Sequence, residues 1–266
     1  MNLPVGCAKH LMPHVIISAA PLYSESRLVR GPSMDRLKTY VEGFDDALGG
    51  GIPRGSIVLV AGTPGTMKTA LTFSILYENV KAGSKALYIS LEESQEDLRA
   101  AMTDLGMTGL DDIELYVLDI GRIRLEHKDE ELSKNWLDVL QKYIDQRVRV
   151  NGFDLVAVDS LAALYSLSHL ANPRRELFHF FGFLKSLKST CFLISEVPSG
   201  SNGRLTAFEE EFLADGILYL RQFEKGETDV QLRLRCVKMR RARHERGYYA
   251  LTRNDGRFQI TRTISE

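Results

Sequence analysis

The sequence predicts an α/β domain built on a mostly parallel β-sheet, with helices on both faces and an antiparallel β edge at its C-terminal end. Short runs of consecutive apolar residues, typical of strands buried on both faces, alternate with segments whose apolar residues recur at helical spacing. Such alternation specifies parallel strands joined by crossover helices. From Gly216 onward the pattern changes to strands separated by Gly and Asn-Asp-Gly turns, which predicts antiparallel pairing.

The predicted elements follow one another in a regular order. After the apolar run at Ile57–Ala61, a helix is indicated by apolar residues three and four apart and is closed by Gly83. The predicted parallel strands are Ile57–Ala61, Ala86–Leu91, Glu114–Leu118, Leu155–Val158 and Cys191–Ser195. The predicted helices are Thr69–Lys81, Gln95–Leu105, Asp129–Val148 and Arg174–Leu187. The predicted antiparallel strands are Gly216–Leu220, Asp229–Met239, Gly247–Thr252 and Arg257–Thr261.

Composition is that of an ordinary globular protein. Of 266 residues, 44% are hydrophobic and 26% charged, and the net charge of −1 gives no overall attraction to nucleic acid or anionic membranes. No apolar run approaches the roughly 20 residues of a membrane span. Three cysteines form no even-numbered disulfide framework, which favours a reducing compartment. We therefore expect a cytoplasmic protein with no membrane partner.

The N-terminal segment differs from the rest of the chain. Residues 1–33 show no sustained hydrophobic period, whereas organised patterning begins at about Leu37. We predict a disordered extension over residues 1–33 and one domain over residues 34–266, with Met34 as an alternative start.

The strongest motif is a phosphate-binding loop, Gly62-Thr63-Pro64-Gly65-Thr66-Met67-Lys68-Thr69. It lies between a predicted strand and a predicted helix, which is the context such a loop requires. Its backbone N–H groups would surround a β-phosphate at the helix N-terminus, while Lys68 would reach the β- and γ-phosphates and Thr69 would ligate Mg²⁺. The predicted ligands are ATP and Mg²⁺, and the predicted nucleotide-binding residues here are Gly62, Gly65, Thr66, Met67, Lys68, Thr69 and Ala70.

Met67 departs from the usual pattern, which has glycine at this position. A side chain there can restrict the backbone angles and the close approach of a phosphate. One interpretation is a loop that has lost nucleotide binding. The favoured one is a working loop whose methionine side chain points away from the phosphates, because the other motif residues are intact.

Two acidic elements complete the predicted site. Asp159 ends the apolar run that begins at Leu155, and ligands of open α/β sheets bind at that end of the strands. We expect Asp159 to hold Mg²⁺ with Thr69. Glu92 and Glu93 directly follow another predicted strand, where a carboxylate could orient and deprotonate the attacking water. Glu92 is the first choice as the catalytic residue because it is nearest the strand end, with Glu93 assisting.

Together these residues resemble the KaiC-like branch of the RecA superfamily of P-loop ATPases. The similarity runs from about Thr39 to Ile260 and includes the lead-in Val41–Ser56, the phosphate loop, Glu92-Glu93 and Asp159-Ser160. It continues through Ser195-Glu196, Glu211–Gly216 and Lys238-Met239-Arg240. The resemblance implies a RecA-like fold and a homo-oligomeric ring, with a hexamer favoured and ATP bound between neighbouring subunits. It does not imply clock or autokinase activity, since one core domain is present.

The resemblance assigns roles to four more residues. Lys238 and Arg240 would act in trans on the γ-phosphate of a neighbouring subunit, and residues two apart on a strand project from one face. His244 and Asp255 fall where the family contacts the nucleotide. The family's Gly-Thr/Ser after the Lys-x-Arg pair is replaced by Arg241 and Ala242, which weakens this last assignment.

A basic run raises the question of nucleic acid. Lys238, Arg240, Arg241, Arg243 and Arg246 lie within nine residues. The favoured interpretation is that the run serves a subunit interface and its nucleotide, with single-stranded DNA as an alternative that is not favoured. The leading functional hypothesis is an ATP hydrolase that acts as a nucleotide-dependent switch. The alternatives are a DNA-binding, recombinase-like accessory ATPase in repair and a nucleotide-binding scaffold that hydrolyses little.

Overall fold

The computed structural model describes residues 35–122, 135–168, 170–197, 204–226 and 228–263. The predicted extension over residues 1–33 lies outside these ranges, as do the first six residues, 129–134, of one predicted helix. Within the described ranges, no helix is both long enough and apolar enough to cross a membrane.

A nine-stranded sheet organises the described part of the chain. Its strands run in the order β11-β10-β9-β8-β3-β7-β6-β4-β5. Strands β3 to β8 pair in parallel, and β8 to β11 pair antiparallel. Their bounds are β3 Ile57–Gly62, β4 Ala86–Ser90, β5 Leu115–Asp119, β6 Leu155–Asp159, β7 Thr190–Glu196, β8 Gly216–Lys225, β9 Asp229–Met239, β10 Tyr249–Asn254 and β11 Arg257–Arg262. A separate two-stranded sheet pairs β1 Arg36–Leu37 with β2 Ile52–Pro53. The predicted parallel sheet with an antiparallel edge is confirmed.

The helices of the described ranges are α1 Phe44–Ala47, α2 Lys68–Lys81, α3 Gln95–Asp104, α4 Trp136–Asn151, α5 Leu161–Leu167, α6 Pro173–Ser186 and α7 Glu210–Leu213. Four of them have an N-cap residue whose side-chain oxygen accepts a hydrogen bond from a backbone N–H of the first turn. These N-cap residues are Ser94, Asn135, Ser160 and Asn172. The sequence did not predict α1, α5 and α7. Each spans two turns or fewer, so the apolar residues have too few repeats to show a helical period.

Each face of the sheet buries its own hydrophobic core. Because side chains alternate along a strand, β3 sends Val58 and Val60 to one core and Ile57 and Leu59 to the other. Helices α2 and α3 cover the first core, and α4, α5 and α6 cover the second. Helices therefore lie on both faces, as predicted.

The parallel strands bring their carboxyl ends to one edge of the sheet. β3 lies between β7 and β8 and ends at Gly62, the first residue of the phosphate loop. β4 and β6 pair with Ser90 opposite Asp159. Residues that follow these strands meet at this edge, which is where open α/β sheets bind ligands.

Candidate functional site

The phosphate loop connects β3 to α2 and is closed by internal hydrogen bonds. The Thr66 hydroxyl donates to the Thr63 carbonyl at 2.7 Å, and the Lys68 ammonium donates to the same oxygen at 3.0 Å. Gly65 has a φ of 75°, in the left-handed region that favours glycine. The loop thus curves around the N-terminus of α2, where free N–H groups favour an anion.

Glycine is required at position 62 because a side chain would clash with its neighbours, and not because of its backbone angles. A Cβ atom added at this position would lie 2.6 Å from both the Leu220 carbonyl oxygen and the Thr66 hydroxyl oxygen. The backbone oxygen belongs to the neighbouring strand β8 and cannot move without breaking the sheet. Any larger residue would therefore displace the start of the loop.

Met67 adopts the backbone conformation that glycine would provide. Its φ and ψ are 60° and 29°, in the left-handed region, and it forms the N-cap of α2. Its side chain packs against the hydrophobic core beneath α2 and α3. The loop keeps its shape at the expense of backbone strain, which for a residue in this region is about 1 kcal/mol.

The Thr69 hydroxyl and the Asp159 carboxylate meet across the sheet edge. Thr69 donates to Asp159 Oδ2 at 2.8 Å, although the two residues are 90 positions apart in the chain. The buried Tyr88 hydroxyl donates to the same oxygen at 2.5 Å. Burial raises the pKa of Asp159 above its ordinary value, while the hydrogen bonds from Tyr88 and Thr69 and the charge of Lys68 act in the opposite direction.

These two groups fit a magnesium ion. Hydroxyl and carboxylate oxygens are the hard ligands that Mg²⁺ prefers, and Mg²⁺ usually takes only one or two protein ligands besides water and phosphate oxygens. In the ranges described, no group of three or more His, Cys, Asp or Glu side chains has the arrangement of a metal centre. A site for Mg²⁺ alone therefore suits this edge less well than one for Mg²⁺ carried by a phosphate ligand.

Glu92 and Glu93 follow β4 and point to different partners. The Ser160 hydroxyl donates to Glu92 Oε1, which directs this carboxylate toward the end of β6. Glu93 is held through its backbone, since its amide donates to Ser90 Oγ at 3.1 Å. Burial and the charges of Asp159 and Glu92 raise the pKa of Glu93. Both carboxylates line the same cleft.

The cleft at the sheet edge has a volume of about 430 Å³. It brings together most of the predicted site, namely Gly65, Thr66, Met67, Lys68, Thr69, Ala70, Glu92, Glu93 and Asp159. It also contains residues for which motif spacing predicted no role. These are Ala101, Met102 and Leu105 at α3, with Ser160, Ile194 and Glu196 at the ends of β6 and β7. The α3 residues carry no chemical signal, so only the packing of α3 over the loop reveals them.

Lys68 sits among carboxylates inside this cleft. Burial lowers the pKa of its ammonium group, while the charges of Glu196, Asp159 and Glu92 favour the protonated form. The cleft thus places one cation close to three acids. The arrangement is suited to receive a polyphosphate that carries a divalent cation.

Lys238 and Arg240 do not line this cleft. Both project toward the carboxyl end of the short helix α7, although only Lys238 lies in β9 and Arg240 directly follows the strand. The Lys238 ammonium donates to the carbonyl oxygens of Glu211 and Ala214 at 3.0 and 2.7 Å. The Arg240 guanidinium donates to the Phe212 carbonyl at 3.1 Å. These two cations therefore converge on one place, the carboxyl end of α7, and neither contributes to the cleft.

Asp215 anchors the same region. It accepts the Ile57 amide at 3.0 Å and the Lys185 ammonium, and it lies 3.7 Å from the Arg240 guanidinium. Burial alone would raise the pKa of Asp215. The hydrogen bonds from Lys185 and Ile57 and the charges of Lys185 and Arg240 outweigh it and lower the pKa.

His244 and Asp255 also lie outside the cleft lining. His244 follows β9, and its two ring nitrogens have no hydrogen-bond partner among the described residues. Asp255 is exposed in the turn between β10 and β11, with a φ of 48°. Their predicted contact with nucleotide stays a prediction.

The basic run is partly committed to internal contacts. The Arg241 guanidinium donates to Ser56 Oγ at 3.2 Å and to the Arg54 carbonyl at 3.4 Å. With Lys238 and Arg240 also bound to carbonyl oxygens, three of its five cations stabilise the fold of the chain itself.

Comparison with known proteins agrees with the geometry of the cleft. The family model described as "ATPase: KaiC" matches residues 37–263, which is nearly all of the described part of the chain. The chain belongs to the KaiC ATPase family. The match includes the phosphate loop, both acidic elements and the Lys-x-Arg pair.

Individual KaiC relatives are moderately similar. The circadian clock oscillator protein KaiC of Picosynechococcus sp. is 30% identical over 244 residues, covering 89% of this chain and 46% of the relative. The protein of the same name from Synechococcus elongatus is 27% identical and covers 90% and 46%, respectively. This chain thus spans about half the length of the curated relatives it matches.

A solved KaiC-like structure supports the fold. The crystal structure of a KaiC-like protein from the hyperthermophilic archaeon Pyrococcus horikoshii superposes with a TM-score of 0.73 at 24% identity. The alignment covers 86% of this chain and 99% of the archaeal one. At this identity the similarity establishes the KaiC-like RecA fold and nothing more specific.

Proposed function

We propose that this chain hydrolyses ATP with Mg²⁺ at the cleft and forms a homo-oligomeric ring, with a hexamer favoured, in which neighbouring subunits share the site. The observation that carries the proposal is the convergence of Lys68, Thr69, Glu92 and Asp159 at one edge of the sheet. They arrive from three separate strand ends, and each has the chemistry that one step of phosphoryl transfer requires.

Binding is assigned to the loop and the start of α2. The backbone N–H groups of the loop and of the first turn of α2 would surround the β-phosphate, with Pro64 contributing none, and Lys68 would neutralise charge on the β- and γ-phosphates. Thr69 and Asp159 hold the Mg²⁺, which supplies neutralisation of charge on the phosphates. Met102 of α3 and Leu105, which directly follows this helix, give the cleft an apolar wall.

Glu92 is the general base in this proposal. As the water oxygen bonds to the γ-phosphorus, its proton passes to the Glu92 carboxylate, the bond from that phosphorus to the bridging oxygen breaks, and ADP leaves with the electron pair. The hydrogen bond from Ser160 fixes one carboxylate oxygen and leaves the other for water. Glu93 assists by contributing charge beside the base.

Lys238 and Arg240 are assigned to a neighbouring subunit's γ-phosphate. Neither residue lines the cleft of its own chain, which supports this assignment, as does the match to the KaiC family. A cation on the transferring phosphoryl group stabilises charge that develops in the transition state. Because this contact would cross a subunit interface, nucleotide state and assembly would be linked, which supports the role of a nucleotide-dependent switch.

Measured ATP turnover tests the proposal. Lys68→Ala is expected to lose nucleotide binding and turnover, whereas Glu92→Gln is expected to bind ATP but to hydrolyse it about 10²–10⁴-fold more slowly. Glu96→Gln, an exposed residue without side-chain contacts in the described ranges, is the matched control and should retain turnover. Turnover in Glu92→Gln equal to that of the wild type would contradict the assignment of the base. ATP binding without turnover in the wild-type protein would instead support the scaffold hypothesis.

A further inference from the structure

One face of the β8–β9 hairpin carries three arginines stacked on two aromatic rings. Arg233 lies over the Phe223 ring at 3.5 Å, and Arg221 lies over the Tyr248 ring at 4.0 Å. Arg235 approaches the same Tyr248 ring at 5.3 Å. We call these five residues the arginine face. They lie outside the cleft and outside the basic run that the sequence singles out.

Strand register places all three guanidinium groups on one side of the hairpin. Arg221 pairs directly with Arg233, and Arg235 is two residues further along β9. Alternation along the strands sends Leu220 and Leu234 to the opposite side, where they are buried in the core under α2. The arginine face is therefore the other surface of the hairpin, and its members are only half-buried.

These charges are not balanced within the described ranges. None of the three arginines forms an ion pair with a described carboxylate, and like charges directly opposite one another destabilise a sheet. The Nε atoms of Arg221 and Arg235 are buried without a hydrogen-bond partner there. On the same side of the hairpin, the nearest acid by register is Asp229, which pairs with Lys225. Contact with an anion would offset the repulsion between these arginines and give their unpaired Nε atoms a hydrogen-bond acceptor.

We propose that the arginine face binds the phosphate backbone of a single-stranded nucleic acid. Arg233 and Arg235 are two residues apart, about 6.6 Å along a strand, which is comparable to the separation of successive phosphates in an extended single strand. Guanidinium groups match phosphate oxygens in pairs, and their planes also stack on bases. Stacking on Phe223 and Tyr248 already restricts the arginine side chains, so less conformational entropy is lost on binding.

Fluorescence polarisation measures this binding on the full chain. The probe is a fluorescein-labelled oligothymidylate of roughly 20 nucleotides, which is longer than one such site covers. The triple variant Arg221→Gln, Arg233→Gln and Arg235→Gln is expected to bind at least about tenfold more weakly. The slope of log affinity against log salt should fall by about 0.7 for each phosphate that the variant no longer neutralises. The matched control removes three charges elsewhere, with Lys142→Gln, Arg147→Gln and Arg257→Gln. The same measurement with a labelled oligouridylate shows whether the arginine face prefers DNA or RNA.

Several outcomes would overturn the proposal. Equal losses of affinity in the two triple variants would show that only net charge matters, and unchanged affinity in the first would exclude the face. A changed assembly mass with unchanged oligonucleotide binding would assign the face to contact between copies of the chain. The single variant Arg233→Gln gives the same comparison if the triple variant does not fold. ATP turnover without oligonucleotide should be unaffected, so failure here is separable from failure of the proposed hydrolase.

Discussion

The hydroxyl of Tyr88 donates to the Asp159 oxygen that also accepts the Thr69 hydroxyl. Tyr88 lies within β4, is fully buried and does not line the cleft. Its hydroxyl therefore reaches the Asp159 carboxylate from the protein interior. Two donors on one oxygen, Oδ2, restrict the orientation of the Asp159 carboxylate, which lines the cleft. Loss of a partner of this kind typically weakens metal binding or activity about 10- to 100-fold.

Tyr88→Phe removes one oxygen and keeps the ring. Because Asp159 loses a donor to its charged form, the Mg²⁺ concentration that gives half-maximal ATP turnover is expected to rise by about tenfold or more. Tyr77→Phe is the control, since Tyr77 is also buried and donates to the Thr108 carbonyl at 2.8 Å, away from the cleft. Turnover is measured across a Mg²⁺ titration, and identical titrations for the two variants would contradict this role of Tyr88.

Substitutions at Met67 separate backbone shape from residue type. The left-handed conformation at this position suits Gly and Asn, whereas a β-branched residue is a severe outlier there. Met67→Gly and Met67→Asn are therefore expected to keep ATP turnover within about threefold of the wild type, and Met67→Val to lower it by at least about tenfold. If Met67 is what suppresses hydrolysis, Met67→Gly should instead raise turnover sharply.

Asp215 is expected to make stability depend on pH. Its folded-state pKa is lower than its ordinary value of about 3.9, so its contribution is fully present above that value and is lost as pH falls through the folded-state pKa. At pH 7, Asp215→Asn is expected to lower the free energy of unfolding by about 1–3 kcal/mol.

Urea unfolding of wild type and variant between neutral and acid pH measures this effect. The difference in the free energy of unfolding between wild type and Asp215→Asn should become smaller as the pH is lowered. Asp112→Asn, at an exposed aspartate with no side-chain partner in the described ranges, should show little difference at any pH. A constant difference for Asp215→Asn across the range would mean that charge is not the cause.

Mixing two inactive variants tests the shared site. In a ring of randomly mixed subunits, equal amounts of Lys68→Ala and Arg240→Ala should restore about a quarter of the sites, because each restored site takes its loop from one variant and its cation from the other. Turnover of the mixture is compared with that of each variant alone. Lys68→Ala mixed with the double variant Lys68→Ala, Arg240→Ala is the control and should stay inactive. Inactivity of the first mixture would count against a site built from two subunits.

Sequence patterns predicted the sheet well because its strands are strongly apolar and its long helices have several repeats. The strand Gly216–Leu220 was predicted five residues too short, since β8 continues to Lys225. Its distal half has Phe223 as its only apolar residue, so the buried-strand pattern stops before the strand does. The short helices α1, α5 and α7 were not predicted because each is too short for its apolar residues to show a helical period.

The residues of the candidate site were also predicted only in part. Motif spacing found the groups that carry charge, because Lys68, Glu92 and Asp159 stand at strand ends in a recognisable order. It did not find Tyr88, whose hydroxyl reaches Asp159 from a position that reads only as buried strand. It also attached no weight to the arginine face, since Arg221 and Arg233 are distant in sequence and become neighbours only through pairing of β8 with β9.

The left-handed backbone at Met67 has a consequence for recognising such proteins. What the loop requires there is a pair of dihedral angles, which glycine adopts most readily but which methionine also adopts when its side chain has a hydrophobic place to go. A pattern search that insists on glycine at this position will discard chains whose loops have the same shape. A search that permits any unbranched residue there, and asks for an apolar floor beneath the loop, would retain them.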